Sequence, residues 1–350
     1  MNALTATPKK AGTFRIAVDA MGGDRGPLEV LEGVRQAARQ SASQFLLVGD
    51  PAILQAEMSK RPQANIELIP AADVITMDES PVKAFRRKPD ASVVVGARLV
   101  KEKQADALVT IGNTGAAMTV AHLTWERIPG IDRAAIATPM PSLKGVVVLI
   151  DGGATVDCDP NNLYEFAIMG SVYAQAVLGV AAPKVGLLSN GEEASKGNDV
   201  VKRAHALFRQ AEADGKAFDF YGNVEGRDIF RGTTEVIVCD GFVGNIALKS
   251  GEGVAELMLE LLRMELSAAW MRPFVAALRP ALRRVRSRID YAEFGGAPLL
   301  GVNGICIIGH GRSDAGAITN ACHAAERAVQ HNLIEVIRER VCAIPAAPPA

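Results

Sequence analysis

The sequence predicts an α/β fold in which a mainly parallel sheet is covered by helices on both faces. Three observations predict it. Short runs rich in β-branched residues alternate with segments of helical periodicity. Several of those runs, such as 146–150, are apolar without alternation, as strands buried on both faces are. Glycine-bearing polar segments follow the strand ends, where the chain of such a sheet turns toward the next helix.

Taken in order, strands are expected at 14–18, 45–48, 66–69, 107–110, 145–150, 184–188, 236–239 and 304–308. Each is a β-branched or aliphatic run bounded by turn formers. Helices are expected at 27–40 and 51–60, each opened by a proline suited to a first turn. Others follow at 92–103, 161–178, 199–213 and 315–340. Residues 1–13 and the Ala/Pro-rich 343–350 lack periodicity and read as tails, leaving 14–342 as one α/β unit.

The bulk numbers narrow the function. With 350 residues, 49% hydrophobic, 22% charged and 33 glycines, the chain suits a compact enzyme. A formal net charge of -1 offers no general attraction to nucleic acid. Five widely spaced cysteines without a CxxC pair argue against a disulfide framework or thiolate zinc site and fit a reducing compartment. The N-terminus has no apolar core of a secretory signal. No stretch approaches the ~18 continuous apolar residues of a transmembrane helix.

The unusual residues gather beyond the strand ends, where ligands bind in an open parallel sheet. The first such loop, 19–27, holds Asp19, Gly22, Gly23 and Asp24 ahead of Pro27. Its glycines let backbone N–H groups converge on an anion at a helix N-terminus, or simply make a tight turn. Asn113 and Thr114 in the next loop suit either a helix cap or a ligand oxygen. Further loops carry Asp151 to Cys158, then Asn190 and Lys196, then Asn223. The last three hold Asp240, Gly241, Asn245 and Lys249; Gly295 and Gly296; and His310 to Asp314. Eight such loops in series predict one long cleft with many backbone contacts.

The strings AVDAMGGDRGP, NTGAAM, NGEEASKGND, GNVEGRDIF, CDGFVGNIALKSGEG and EFGGAPLLGVNG resemble those of the bacterial phosphate acyltransferases, the PlsX family. The match runs from about residue 16 to 318. One departure is Thr155, where the family loop usually reads Asp-x-Gly-Ala-Asn. The resemblance implies transfer of an acyl group from acyl carrier protein to inorganic phosphate, giving an acyl phosphate for phospholipid synthesis. It also implies a two-lobed fold like isopropylmalate dehydrogenase, a homodimer, and no metal or organic cofactor. Finally, it implies a cytoplasmic enzyme held peripherally at a membrane surface.

Phosphate attack on a thioester needs a seat for a dianion, donors for the oxyanion, and stabilisation of the departing thiolate. The Gly22–Gly23 backbone with Lys196 or Lys249 is the expected seat, and Asn113, Asn190 and Asn245 are expected donors. The carboxylates Asp19, Asp24 and Asp240 would repel phosphate, so orienting cations or capping helices suits them better. His310 is the candidate acid for the thiolate, with a structural place in its glycine-rich loop as the alternative. Cys158 and Cys239 have no histidine near in sequence, so they read as small buried hydrophobes and transfer as a single displacement.

Between 253 and 290 the texture changes to a helical hairpin. Leu257, Leu261 and Met264 form an apolar stripe on its first arm. Trp270 and Phe274 follow, then Arg279, Arg283, Arg284, Arg286 and Arg288, with no acid from 267 through 289. Aromatic residues beside arginines describe an element facing anionic lipid or an acidic carrier protein. The stripe itself suits a partner subunit. A decarboxylating dehydrogenase would need a metal-binding aspartate set on one helix, which the sequence lacks. A coenzyme A-dependent phosphate acetyltransferase would have no use for the hairpin, and a non-catalytic membrane scaffold no use for the polar loops.

Overall fold

The computed structural model describes residues 13–343 apart from 77, 214–217, 268–271 and 290–293. The expected tails fall outside the described residues but for their innermost positions. The chain runs β1 (Arg15–Asp19), α1 (Pro27–Gln40), β2 (Gln44–Gly49), α2 (Pro51–Lys60), β3 (Ile66–Pro70), α3 (Pro81–Arg87), α4 (Ser92–Lys101), β4 (Ala107–Ile111) and α5 (Thr114–Trp125). It continues through β5 (Ala135–Ile136), β6 (Thr138–Ser142), β7 (Gly145–Ile150), α6 (Pro160–Ala176), β8 (Lys184–Leu188), α7 (Asp199–Ala213), β9 (Asp219–Val224), α8 (Gly226–Arg231) and β10 (Val236–Val238). The last third holds α9 (Gly241–Leu266), α10 (Arg272–Ile289), β11 (Ala297–Leu300), β12 (Ile305–Gly309), α11 (Ala315–Gln330) and α12 (Leu333–Cys342).

The strands divide into a seven-stranded sheet, β3-β2-β1-β4-β12-β11-β5, and a five-stranded sheet, β6-β7-β10-β8-β9. Pairing is parallel except where β11 meets β12 and β5, and where β6 meets β7. The expected mainly parallel α/β fold is therefore present, carried by two sheets. In the larger sheet the chain leaves β1 toward β2 and β3, then returns on the other side to β4. That reversal is the point where ligands bind in open parallel sheets. One apolar core spans both sheets, joining Val18 and Val109 to Val148, Val185 and Val238 through helices α6, α11 and α12.

Local chemistry explains most boundaries. Asp159 caps α6 by accepting from Asn161 N and Asn162 N, and Asn162 answers in a capping box. The helix expected over 315–340 breaks at Asn332, which adopts the left-handed conformation (φ 49°) that asparagine tolerates. Strand β6 was unexpected because it contains Pro139 and Pro141. It lies at a sheet edge, where a missing N–H costs no ladder bond. The first hairpin arm starts at Gly241, well before the expected 253, and continues unbroken to Leu266.

Candidate active site

At the switch point, Asp19 ends β1 with only 3% exposure and accepts hydrogen bonds from Thr110 Oγ1 (2.8 Å) and Met21 N (3.1 Å). Burial pushes its carboxyl up from the ordinary range, while bonds from Ser92, Thr110, Met21 and Gly22 pull it back. Asp19 thus shapes its loop from within. A Cβ on Gly22 would strike the Ile111 carbonyl oxygen, and one on Gly112 (φ 138°) would strike the Gly22 carbonyl. Both close approaches require glycine. Gly23 follows, and Asp24 N donates to Gly311 O (2.8 Å), tying this loop to the one after β12. Asn113 is engaged at both ends of its amide: it caps α5 through Ala116 N (2.9 Å) and donates to Thr76 O (3.1 Å). Thr114 is exposed beside it.

The smaller sheet has a matching device. Asp151 follows β7, is fully buried, and accepts four backbone N–H groups: Ile136 (2.8 Å), Gly153 (3.0 Å), Ala154 (3.0 Å) and Thr155 (2.6 Å). Burial pushes this carboxyl up and the four donors draw it down. Helix α9 starts against it: a Cβ on Gly244 would overlap the Asp151 carbonyl oxygen. Asp240 caps the same helix by accepting from Val243 N (2.8 Å), and Gly241 N donates to Thr155 O (2.8 Å). Thr155 Oγ1 donates to Ala134 O (3.0 Å), so this residue serves the loop itself. Asn245, exposed, sits over Gly153.

Helix α9 then reaches back to the larger sheet. Lys249 pairs with Glu252 (2.9 Å), and Glu256 pairs with Arg312 (3.0 Å) from the loop after β12. His310 stands in the same loop as Arg312, and its ring Nδ1 accepts from Arg312 N at 3.2 Å. Partial burial lowers the His310 pKa from the ordinary histidine value, with Lys249 and Arg312 lowering it further against Glu252 and Asp24. The imidazole is therefore neutral at neutral pH. Two residues named from separate motifs, Lys249 and His310, thus share one cluster with the Gly22–Asp24 loop. Glu252 and Glu256 were missed, and Asp151 and Arg312 were read only as members of their loops. The i, i+3, i+7 spacing of Lys249, Glu252 and Glu256 was the one available signal for that polar stripe.

The remaining sequence-named groups form their own knot after β8 and β9. Asn190 Oδ1 accepts from Gly197 N (2.8 Å), and Lys196 is exposed on the same loop. Asn223, 3% exposed, donates to Glu193 O (2.8 Å) and meets His205 Nδ1 (3.0 Å). Both ends of its amide are taken within the protein. Cys239 is buried beside Asp151 and Asp240, which together with burial hold its thiol well above the usual value. Burial and the same two carboxylates push Cys158 up to about 12. Neither thiol is activated as a nucleophile.

Beyond Val254 helix α9 leaves its apolar side uncovered, with Leu257 58% and Met264 62% exposed. Arg279, Arg283, Arg284 and Arg288 are exposed on α10. Trp270 lies outside the described residues, as do Arg286 and Phe274 as side chains.

The geometry defines a class: a two-sheet α/β enzyme whose polar strand-end loops meet across the start of one long helix. Solved structures of the same shape include a phosphotransacetylase from Streptococcus pyogenes (TM-score 0.62, 16% identity, covering 92% of this chain and 94% of that one). Another is the EutD phosphotransacetylase from Staphylococcus aureus (TM-score 0.58, 19% identity, 91% and 95% covered). These likenesses establish the fold. The family described as fatty acid synthesis protein matches residues 14–336. A phosphate acyltransferase from Heliobacterium modesticaldum is 50% identical over 94% of this chain and 98% of its own length. One from Nostoc punctiforme is 48% identical over 93% and 96%. The chain belongs to this family, the phosphate acyltransferases, and is an acyltransferase.

Proposed function

We propose that this enzyme moves a fatty acyl group from an acyl carrier protein thioester to inorganic phosphate, releasing acyl phosphate for phospholipid synthesis. The observation that carries the reading is the cluster of His310, Lys249, Arg312 and the Gly22–Asp24 loop at the switch point of a phosphate acyltransferase. Lys249 and Arg312 offer positive charge to the phosphate, with the Gly22–Gly23 backbone beside them. Asn245 is our candidate oxyanion donor. Asp19, Asp151 and Asp240 shape loops and cap a helix, Asn113 and Asn223 brace them, and we keep Asn190 and Lys196 as candidates for a contact with the carrier side of the substrate. Residues 14–342 act as one unit.

In this scheme the phosphate oxygen attacks the thioester carbon, the carbon–sulfur bond breaks, and the proton of hydrogen phosphate ends on the thiol. Neutral His310 accepts that proton and returns it, serving as base before acid. The His310→Gln enzyme then loses the acid limb that wild type shows below the ordinary histidine pKa of ~6.5. Phosphate ionisation is common to both proteins and cancels in their ratio. An unchanged limb in the variant removes His310 from the proton path.

The experiment for the function itself is release of free carrier protein from an acyl-carrier substrate on adding phosphate. Release only with coenzyme A thioesters would move the assignment to a coenzyme A-dependent enzyme. No metal or organic cofactor takes part in the proposed step.

We further infer a homodimer built on the Leu257–Leu261 side of α9, since so large an apolar face is rarely left uncovered. A monomeric mass in solution contradicts it. The arginines of α10 are assigned to an anionic membrane surface, as a peripheral contact. Each basic residue near such a surface contributes about 1 kcal/mol. Replacing Arg279, Arg283 and Arg284 by alanine should therefore weaken binding to anionic vesicles on the order of a hundredfold at low salt. Wild-type flotation indifferent to lipid charge would sink this assignment.

A further inference from the structure

A cavity of about 1200 Å³ opens beside the ion-pair cluster, larger than the roughly 300–1,000 Å³ of ordinary small-molecule sites. Its walls are the β6–β7 hairpin, α8, the inner face of α9 and part of α10. Met140, Leu143, Phe230, Leu248, Val254 and Leu259 make it predominantly apolar. Its acidic lining residues are Glu252 and Glu256, the two carboxylates that hold Lys249 and Arg312. The apolar space and the polar cluster are therefore continuous, sharing one stripe of α9.

We propose that this cavity holds the acyl chain of the substrate, with its thioester end at the Lys249–His310 cluster. The inference rests on the acyl-transfer reading above and adds where the chain lies and what limits its length. Along α9 the lining runs from Ala247 to Leu259, about 18 Å at 1.5 Å per residue, a length suited to a long saturated chain. The β6–β7 hairpin, α8 and α9 all contribute to the cavity lining, and its rim, with Leu143 and Val254, is open to solvent. Carboxylates already neutralised by Lys249 and Arg312 do not oppose entry of an apolar tail.

One wall is formed where Gly251 of α9 packs against Phe230 of α8. A Cβ on Gly251 would lie 2.9 Å from Phe230 Cζ and 3.8 Å from Met140 Cε. A side chain at 251 would therefore have to displace the Phe230 ring, itself a lining residue. Phe230 and Gly251 thus wall the cavity near its thioester end, and Leu259 lies at the far end of the lining. Leu143 N donates to Phe230 O (2.9 Å), fixing the β6–β7 hairpin to the same wall.

The test uses two filling variants toward the far end of the lining, Ala255→Phe and Leu259→Trp, assayed with hexadecanoyl- and octanoyl-carrier protein. In both, the ratio of kcat/KM for the longer over the shorter substrate should fall at least tenfold, the equivalent of roughly two methylenes no longer buried. Thermal unfolding confirms that each variant is folded. Calorimetric binding of hexadecanoic acid gives a second readout, expected to weaken in parallel. Equal loss for both chain lengths, or a changed solution mass with an unchanged ratio, overturns the proposal and marks the face as an interface between copies. A wild-type protein that binds hexadecanoic acid in this cavity yet turns over no acyl-carrier substrate would leave the cavity standing and remove the acyl-transfer reading.

Discussion

Replacing Asp151 by alanine is expected to lower stability by about 3–5 kcal/mol, the range for breaking a buried charged network. Four backbone N–H groups converge on this carboxylate in a site without solvent. Alanine would leave all four without an acceptor, and each buried unsatisfied group costs roughly 1–3 kcal/mol before the loop relaxes. Asparagine keeps the shape but turns an NH2 toward N–H donors, so it should cost less than alanine and more than a surface change. Urea unfolding reads the effect as a lower midpoint at constant slope. Activity should fall further than stability alone dictates. Asp151 abuts Gly241 and Gly244, where α9 begins, and that helix carries Asn245 and Lys249. A loss below about 1 kcal/mol, no more than one ordinary hydrogen bond, would show that the carboxylate is not organising the loop.

The Lys249→Ala enzyme is expected to lose on the order of 10²–10³ in kcat/KM for phosphate, the usual effect of removing one group that stabilises transition-state charge. Lys249 is 51% exposed as a side chain and tethered to Glu252, which is 11% exposed. The tether restrains the ammonium, whose charge is felt at His310. Phosphate carries its charge before attack, so KM for phosphate should rise, and kcat should fall because the lysine also meets charge that develops in the transition state. Lys249→Arg should recover part of the loss, since the charge returns with a different geometry. Glu252→Gln should also lower activity, less steeply, by freeing the lysine. If Lys249→Ala stays within threefold of wild type, the phosphate is held elsewhere and the Lys196 loop becomes the candidate seat.

Much of this architecture was legible because parallel strands announce themselves. Runs such as 145–150 and 184–188 are apolar enough to permit only burial, and their observed bounds agree with expectation. Strands β6 and β11 were hidden by Pro139, Pro141 and Pro298, which lower any strand reading unless the edge position or the antiparallel partner is known. The division into two sheets depends on pairings between distant segments, which local periodicity does not encode. The start of α9 was hidden for a related reason. Gly241 and Gly244 look like loop residues, yet they are there so that the helix backbone can touch Asp151.

The site was half legible. Motif strings located every loop, but the grouping of Lys249 with His310, and the pairing of Glu256 with Arg312, arises from folding residues about sixty positions apart onto one edge. Asn223 was named as a ligand contact, whereas its amide is closed between Glu193 and His205. Thr155, the departure from the family pattern, turns out to bond the Ala134 carbonyl. The loop therefore tolerates a hydroxyl at that position.

Acyl transfer to phosphate is tested most directly by following phosphorus during turnover of an acyl-carrier substrate with inorganic phosphate. The prediction is one acyl phosphate formed for each carrier thiol released, with no thiol release when phosphate is omitted. Thiol release accompanied by free fatty acid and unchanged phosphate would contradict it, because water rather than phosphate would then be the acceptor.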